Sequence, residues 1–356
     1  MDGSARRPPS PPPVLSEDGF FWVGVQRHPL AHGLGAAGQM YVRYQVPASR
    51  RHALPLAMVH GGGGQGLDYL GTPDGRPGWA SFFLRQGYAV YVVDRTAHGR
   101  SPSHPDLQGK QGMPPSYEAM LRRFVAPEAD PGAYPQARLH TQWPGGAEIG
   151  DGVLDQFMAG QGPPIDDLAR VHADMRRCAA ALLDRIGPAV LVTHSAGGPF
   201  GWLAADERPS LVRAIVAVEP QGPAFTEGPG GVLSWGLTAS PMAFDPPAGR
   251  PEELARAVRA APRPELRECL VQAEPARQLP NLRGVPVAVV TAEASWKAQL
   301  DHGTVDFLRQ AGVSVEHLRL EEHGLHGNGH MMMLERNSDE VAGLLAGWIE
   351  RATATG

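Results

Sequence analysis

Residues 190–198 read Val-Leu-Val-Thr-His-Ser-Ala-Gly-Gly, a short apolar run that ends on a serine. The next segment, 200–207, is compatible with a helix. A strand that breaks directly into a helix must turn sharply, and the residue at the turn is strained. Its neighbours two positions away must be small if strand and helix are to approach. Gly197 meets that need on one side, while Thr193 stands where glycine is commonest on the other. Such a turn lifts the Ser195 hydroxyl above a sheet edge, at a helix start that favours negative charge. The bland alternative is a buried strand followed by a serine that caps a helix.

The rest of the chain supplies strands to flank this one. Apolar runs at 54–59, 88–93, 212–218, 285–290 and 313–320 alternate with helix-compatible segments. The longest of these, 163–186, carries Ile165, Leu168, Val171, Met175, Ala179, Leu182 and Ile186 at steps of three and four. Gly187-Pro188 ends it, and Cys178 on its apolar stripe reads as a small core residue. Further helices are expected at 79–86, 301–311 and about 339–353. Segments 19–27 and 38–46 alternate apolar and polar residues, which predicts an antiparallel pair at one edge. The expected fold class is α/β, a mostly parallel sheet with helices on both faces.

Two stretches, about 101–164 and 221–284, do not fit this rhythm. Both leave the carboxyl ends of strands, where such sheets bind ligands, and both read as cap insertions in a single domain spanning 19–356. Residues 1–18, with their Pro-Pro-Ser-Pro-Pro-Pro run, read as a disordered leader.

A serine hydroxyl needs a base, an orienter for the base and donors for an oxyanion. His60-Gly61-Gly62-Gly63-Gly64-Gln65-Gly66 follows a strand, and glycines let backbone N–H groups turn toward a ligand. The expected oxyanion donors are Ala196 N–H and the N–H of Gly62 or Gly63. The Gly-Lys-Ser/Thr ending of a phosphate-binding loop is absent. The base belongs on a loop just before the last helix, where the chain reads Glu-Glu-His-Gly-Leu-His-Gly-Asn-Gly-His-Met-Met-Met. His330 fits best and His326 second. Their His-x3-His spacing also admits a metal reading, but that needs a third ligand and ordered backbone, which Gly-Asn-Gly opposes. For the acid, Glu219 ends a buried strand ahead of Pro220, with Glu293 and then Asp301 as alternatives. His98, His326, Trp143 and Phe225 are candidates for substrate contact. Met331–Met333 reads as helix packing. Arg122, Arg123, Arg138 and Arg277 lie in the insertions without an assigned direction.

Composition excludes several classes. A net charge of −5 without a basic cluster argues against nucleic acid and anionic membranes as partners. There is no apolar run long enough to span a bilayer. Two cysteines, Cys178 and Cys269, make no disulfide framework.

Taken together, His60-Gly61 with its glycine loop, Asp94-Arg95…Gly99-Arg100-Ser101, Thr193-His194-Ser195-Ala196-Gly197-Gly198, Val218-Glu219-Pro220 and Gly327-Asn328-Gly329-His330-Met331-Met332-Met333 resemble the α/β-hydrolases. Within them they are similar to the bacterial esterase 713-like group. The resemblance implies an eight-stranded sheet and a Ser195–His330–Glu219 triad without metal or cofactor. It also implies hydrolysis of a small-molecule ester through an acyl-enzyme, and a homodimer. The same triad on a lactone or amide, an acyltransferase, a non-hydrolytic lyase or a catalytically silent binding protein are the rival readings. Exported members of the group carry a secretory signal. The proline-rich start of this sequence cannot serve as its apolar segment, so the expected location is the cytoplasm.

Overall fold

The computed structural model describes residues 11–354. Eight strands form one sheet: β1 (Leu15–Val23), β2 (Met40–Pro47), β3 (Leu56–Val59), β4 (Val90–Asp94), β5 (Ala189–His194), β6 (Val212–Val218), β7 (Val287–Thr291) and β8 (Val315–Arg319). Their spatial order is β1-β2-β4-β3-β5-β6-β7-β8. β1, β2 and β4 pair antiparallel, and every later pairing is parallel. This is the α/β architecture expected from the apolar runs.

Alternation along β5 shows how the layers are built. Ala189 and Leu191 pack with α3 (Leu168–Ile186), α4 (Gly198–Glu207) and α5 (Asp301–Gln310) on one face. Val190 and Val192 pack with α1 (Trp79–Arg85), α2 (Gly152–Ala159) and α6 (Ser338–Thr353) on the other. Every residue of β5 is buried, as a parallel strand covered on both faces must be.

Two boundaries differ from the sequence reading. α3 starts at Leu168 rather than 163, because the Asp167 carboxylate accepts from Arg170 N–H at 2.9 Å and caps it. Ile165, which shares the helical spacing, instead bridges Gln111. β1 begins at Leu15, inside the stretch expected as a leader, and Asp18 there pairs with Arg43 at 2.8 Å. Residues 1–10 of that leader lie outside the described residues. The early antiparallel pair is present as β1–β2, with Gln26–Leu30 and Gly33–Ala37 forming a small hairpin between them.

The insertions are compact but irregular. The first holds short helices and turns between Pro105 and Leu139 before α2. The second holds two small antiparallel pairs, the larger joining Arg256–Arg259 to Cys269–Gln272. They serve different faces. Trp143 and Phe157 of the first join the cluster that holds Met331–Met333. Phe225, Trp235 and Phe244 of the second join α3, α4 and α5. The three methionines are buried in turns ahead of α6 and pack with its apolar face, as expected.

Candidate active site

Three strand ends assemble the site. Ser195 leaves β5 with φ 50°, a left-handed conformation that only a surrounding structure can impose on a serine. Small neighbours permit it. A Cβ on Gly197 would run into the His60 carbonyl, and one on Gly198 would lie 2.5 Å from Pro220 Cβ. Thr193 is buried, and its methyl stands 3.5 Å from where a Cβ on Gly201 would be, so glycine in α4 takes up the bulk at this position. Among the described residues, Ser195 Oγ has no hydrogen-bond partner.

Glu219 leaves the adjacent β6, also left-handed at φ 41°, and is fully buried. Its Oε1 accepts from Ala292 N–H at 2.8 Å. Its Oε2 accepts from the Ser295 hydroxyl at 2.7 Å and meets His330 Nδ1 at 2.5 Å. Burial pushes the Glu219 carboxyl up to about 8, against the pull of these donors and of Lys297. His330 Nδ1–H is a further donor to the same oxygen and favours the ionised form. For His330, burial first and then the charges of Arg123 and Lys297 push the imidazole well below its usual value.

His330 is boxed in. The Trp296 ring lies 4.3 Å from the imidazole, His194 4.5 Å and Phe124 5.5 Å, centroid to centroid. His194 Nε2–H donates to the His330 carbonyl at 3.1 Å. The loop that carries His330 is anchored by the buried carboxylate of Glu335, which accepts from Gly329 N–H, His140 Nε2 and Asn328 Nδ2, each at 2.8 Å. A Cβ on Gly329 would sit 3.0 Å from His140 Nε2 and 3.1 Å from Glu335 Oε1, so a larger residue here would press on the anchoring pair.

The glycine loop lies against the serine. A Cβ on Gly61 would come within 2.9 Å of Ser195 Cβ. Arg95, buried beneath, donates to the carbonyls of Gly61 and Gly62 at 2.6 and 2.7 Å. A trans peptide points its N–H opposite its carbonyl, so the N–H groups of Gly62 and Gly63 are turned away from Arg95. Arg95 N–H in turn donates to His60 Nε2 at 2.9 Å, which leaves the His60 proton on Nδ1, bonded to Gly61 O. Ala196 occupies the second position of the helical turn after Ser195, where the N–H has no partner within the helix.

The remaining candidates go elsewhere. His326 and Glu293 pair with each other at 3.1 Å, and Glu293 also accepts from Gly327 N–H. The two histidines of the His-x3-His spacing therefore address different carboxylates. Asp301 pairs with Lys297 at 2.8 Å and accepts from Thr291. His98 is buried beside His60 and bonds the Thr96 carbonyl; its pKa is lowered to about 3 by burial and then by Arg95. Trp143 turns inward onto Phe157, and Phe225 packs on Phe307, so the rings placed on His330 are those of Phe124 and Trp296 instead. The sequence reading gave no role to Phe124, Ser295, Trp296 or Glu335, whereas Arg95, expected to fix the loop by hydrogen bonds, does so. Ser295 and Trp296 had a signal, since they follow a strand end within reach of any acid there.

Comparison with known proteins bears on the fold and the family. A family description of the alpha/beta hydrolase fold matches residues 55–261. The chain is 40% identical over 336 residues to the probable secreted lipase phiG of a fungal species (strain ATCC 74256), covering 93% of this chain and 89% of the relative. That relative is named as secreted, which overturns the expectation of a cytoplasmic protein. No helix among the described residues is long and apolar enough to cross a membrane. A solved structure of a bacterial esterase superposes with a TM-score of 0.65 at 25% identity, covering 98% of this chain and 99% of that one. On fold, family match and relatives alike, the chain belongs to the α/β-hydrolase family.

Proposed function

We propose that the chain hydrolyses carboxylic esters through an acyl-enzyme formed on Ser195. The observation that carries this reading is the 2.5 Å contact of His330 Nδ1 with a buried glutamate, beside a serine in a left-handed turn. A lipase and an esterase among the relatives support the substrate class, and the relative named as secreted supports action outside the cell.

In this mechanism Glu219 fixes the imidazole with its proton on Nδ1, leaving Nε2 as the base. Ser195 Oγ attacks the ester carbonyl as His330 Nε2 takes its proton. The oxyanion accepts from Ala196 N–H and from Gly62 or Gly63 N–H. Collapse breaks the bond to the alcohol, which leaves with the proton from His330. Water, deprotonated by the same nitrogen, then attacks the acyl-enzyme and releases the acid. Arg95 serves as a positioning residue that holds the glycine-loop peptides in one orientation.

The test is turnover of 4-nitrophenyl butyrate by the full chain, with covalent labelling by a fluorophosphonate. The expected result is that Ser195→Ala abolishes both. Turnover and labelling that survive this substitution would overturn the reading.

A further inference from the structure

Several cations near the site are tied to acceptors. Arg95 is held by two carbonyls, Arg100 by Asp94, Lys297 by Asp301 and Arg122 by Asp130. Arg123 has no acceptor, carboxylate or carbonyl, among the described residues. Its guanidinium carbon lies 4.4 Å over the Trp296 ring and 5.7 Å from the Phe124 ring. These are the two rings that flank the His330 imidazole. Arg123 therefore stands no farther from the imidazole than the two Trp296 separations laid end to end. Its side chain is exposed to solvent, yet the protein around it desolvates it enough to lower its pKa.

A guanidinium held over an aromatic ring with no other acceptor has N–H groups to offer, and their fork matches a carboxylate in two parallel hydrogen bonds. We infer that Arg123 is a specificity residue, and that the preferred substrates are esters carrying a free carboxylate a few bonds from the scissile carbonyl. This deepens the ester-hydrolase reading and rests on it. The aromatic walls would hold the connecting methylenes, and the carboxylate would replace the solvent on the N–H groups of Arg123.

The experiment compares two esters that differ in whether the distal carboxyl is free or methylated, 4-nitrophenyl hydrogen adipate and 4-nitrophenyl methyl adipate. For the native protein, kcat/KM is expected to favour the acid by at least tenfold, about 1.4 kcal/mol. That preference is expected to shrink as salt is raised, through screening. Arg123→Met should bring the ratio close to one, chiefly through KM, and Arg123→Lys should retain part of it. A native ratio at or below one, or a ratio unchanged in Arg123→Met, would overturn the inference. If Arg123→Met does not fold, the native ratio and its salt dependence decide the matter. Hydrolysis of both esters without charge preference removes the role of Arg123 alone. Failure on both, together with no labelling of Ser195, removes the ester-hydrolase reading itself.

Discussion

Ser195 and Glu219 leave neighbouring parallel strands in the same unusual conformation, φ 50° and φ 41°. They follow His194 and Val218, which are partners in the β5–β6 register, and Gln221 N–H closes the pair by donating to the Ser195 carbonyl at 2.7 Å. Each such residue costs on the order of 1–3 kcal/mol, which the surrounding fold must offset. Both candidate members of the triad are thus aimed by backbone strain at the same sheet edge.

Replacing the serine separates strain from chemistry. Ser195→Ala keeps the left-handed residue and its penalty, whereas Ser195→Gly relieves it. Both are expected to be inactive, with the glycine variant more stable than the alanine variant by about 1 kcal/mol. Thermal unfolding of the two checks this; a glycine variant that melts first would show that the turn stores no strain.

Glu219 and Glu293 both sit beside a histidine, but only Glu219 touches His330. In Glu219→Gln the amide can turn a donor toward Nδ1 and favour the wrong tautomer. The expected fall in kcat is on the order of 10³–10⁴, as for other triads. Glu293→Gln is expected to stay within about threefold, because its partner His326 is largely exposed and a surface pair contributes little. Steady-state kinetics on 4-nitrophenyl butyrate would reassign the acid if the order were reversed.

Glu335→Gln tests the anchoring of the histidine loop. The buried carboxylate accepts three hydrogen bonds, and bonds to a charged group contribute about 1.5–3 kcal/mol each. A stability loss of at least ~2 kcal/mol is expected in denaturant unfolding. The accompanying loss in kcat should be smaller than that of Glu219→Gln, since the imidazole is displaced and not deprived of its partner.

Buried histidines set the acid limit of the fold. His98 and His172 both have pKa values lowered to about 3, chiefly by burial. Above pH ~6.5 neither the folded nor the unfolded chain protonates them. As pH falls from there toward about 3, the unfolded chain takes up protons that the folded chain refuses, so stability is lost on acidification. Each group contributes up to ~1.4 kcal/mol per pH unit in that window. Melting curves between pH 7 and 4 are expected to fall steadily; a flat profile would mean the two rings accept protons in place.

Activity should survive further into acid than a free imidazole allows. His330 must be neutral to act as base, and burial lowers its pKa. The acid limb of kcat/KM is therefore expected to have its midpoint below the ordinary imidazole value of ~6.5. A midpoint above that value would indicate that the charge of Glu219 outweighs burial.

The parts of the site that were legible in the sequence are those dictated by local backbone. The turn at Ser195, the glutamate at the end of β6 and the glycine-punctuated loops each follow from what a strand end requires. Side-chain direction within the insertions was not legible, because no period runs through them. Trp143 and Phe225 looked like substrate contacts for being aromatic and went into the core, while Phe124, in a π-helical turn at Leu121–Val125, reached His330. Glu335 was hidden for a related reason. It lies near its loop partners in sequence, but its contact with His140 spans most of the chain.

That contact has company. Thr141 and Gln142 N–H both donate to the Gly327 carbonyl, Arg336 N–H donates to Gln142 O, and Gln142 Nε2 reaches the His326 carbonyl. The first insertion and the histidine loop are therefore stitched along both edges. An engineer who grafts a relative's insertion onto this scaffold, hoping to import its substrate range, would be replacing half the mount of the base as well. The portable unit is 101–164 together with 326–337, and swaps that respect this seam should keep turnover where swaps that cut it lose it.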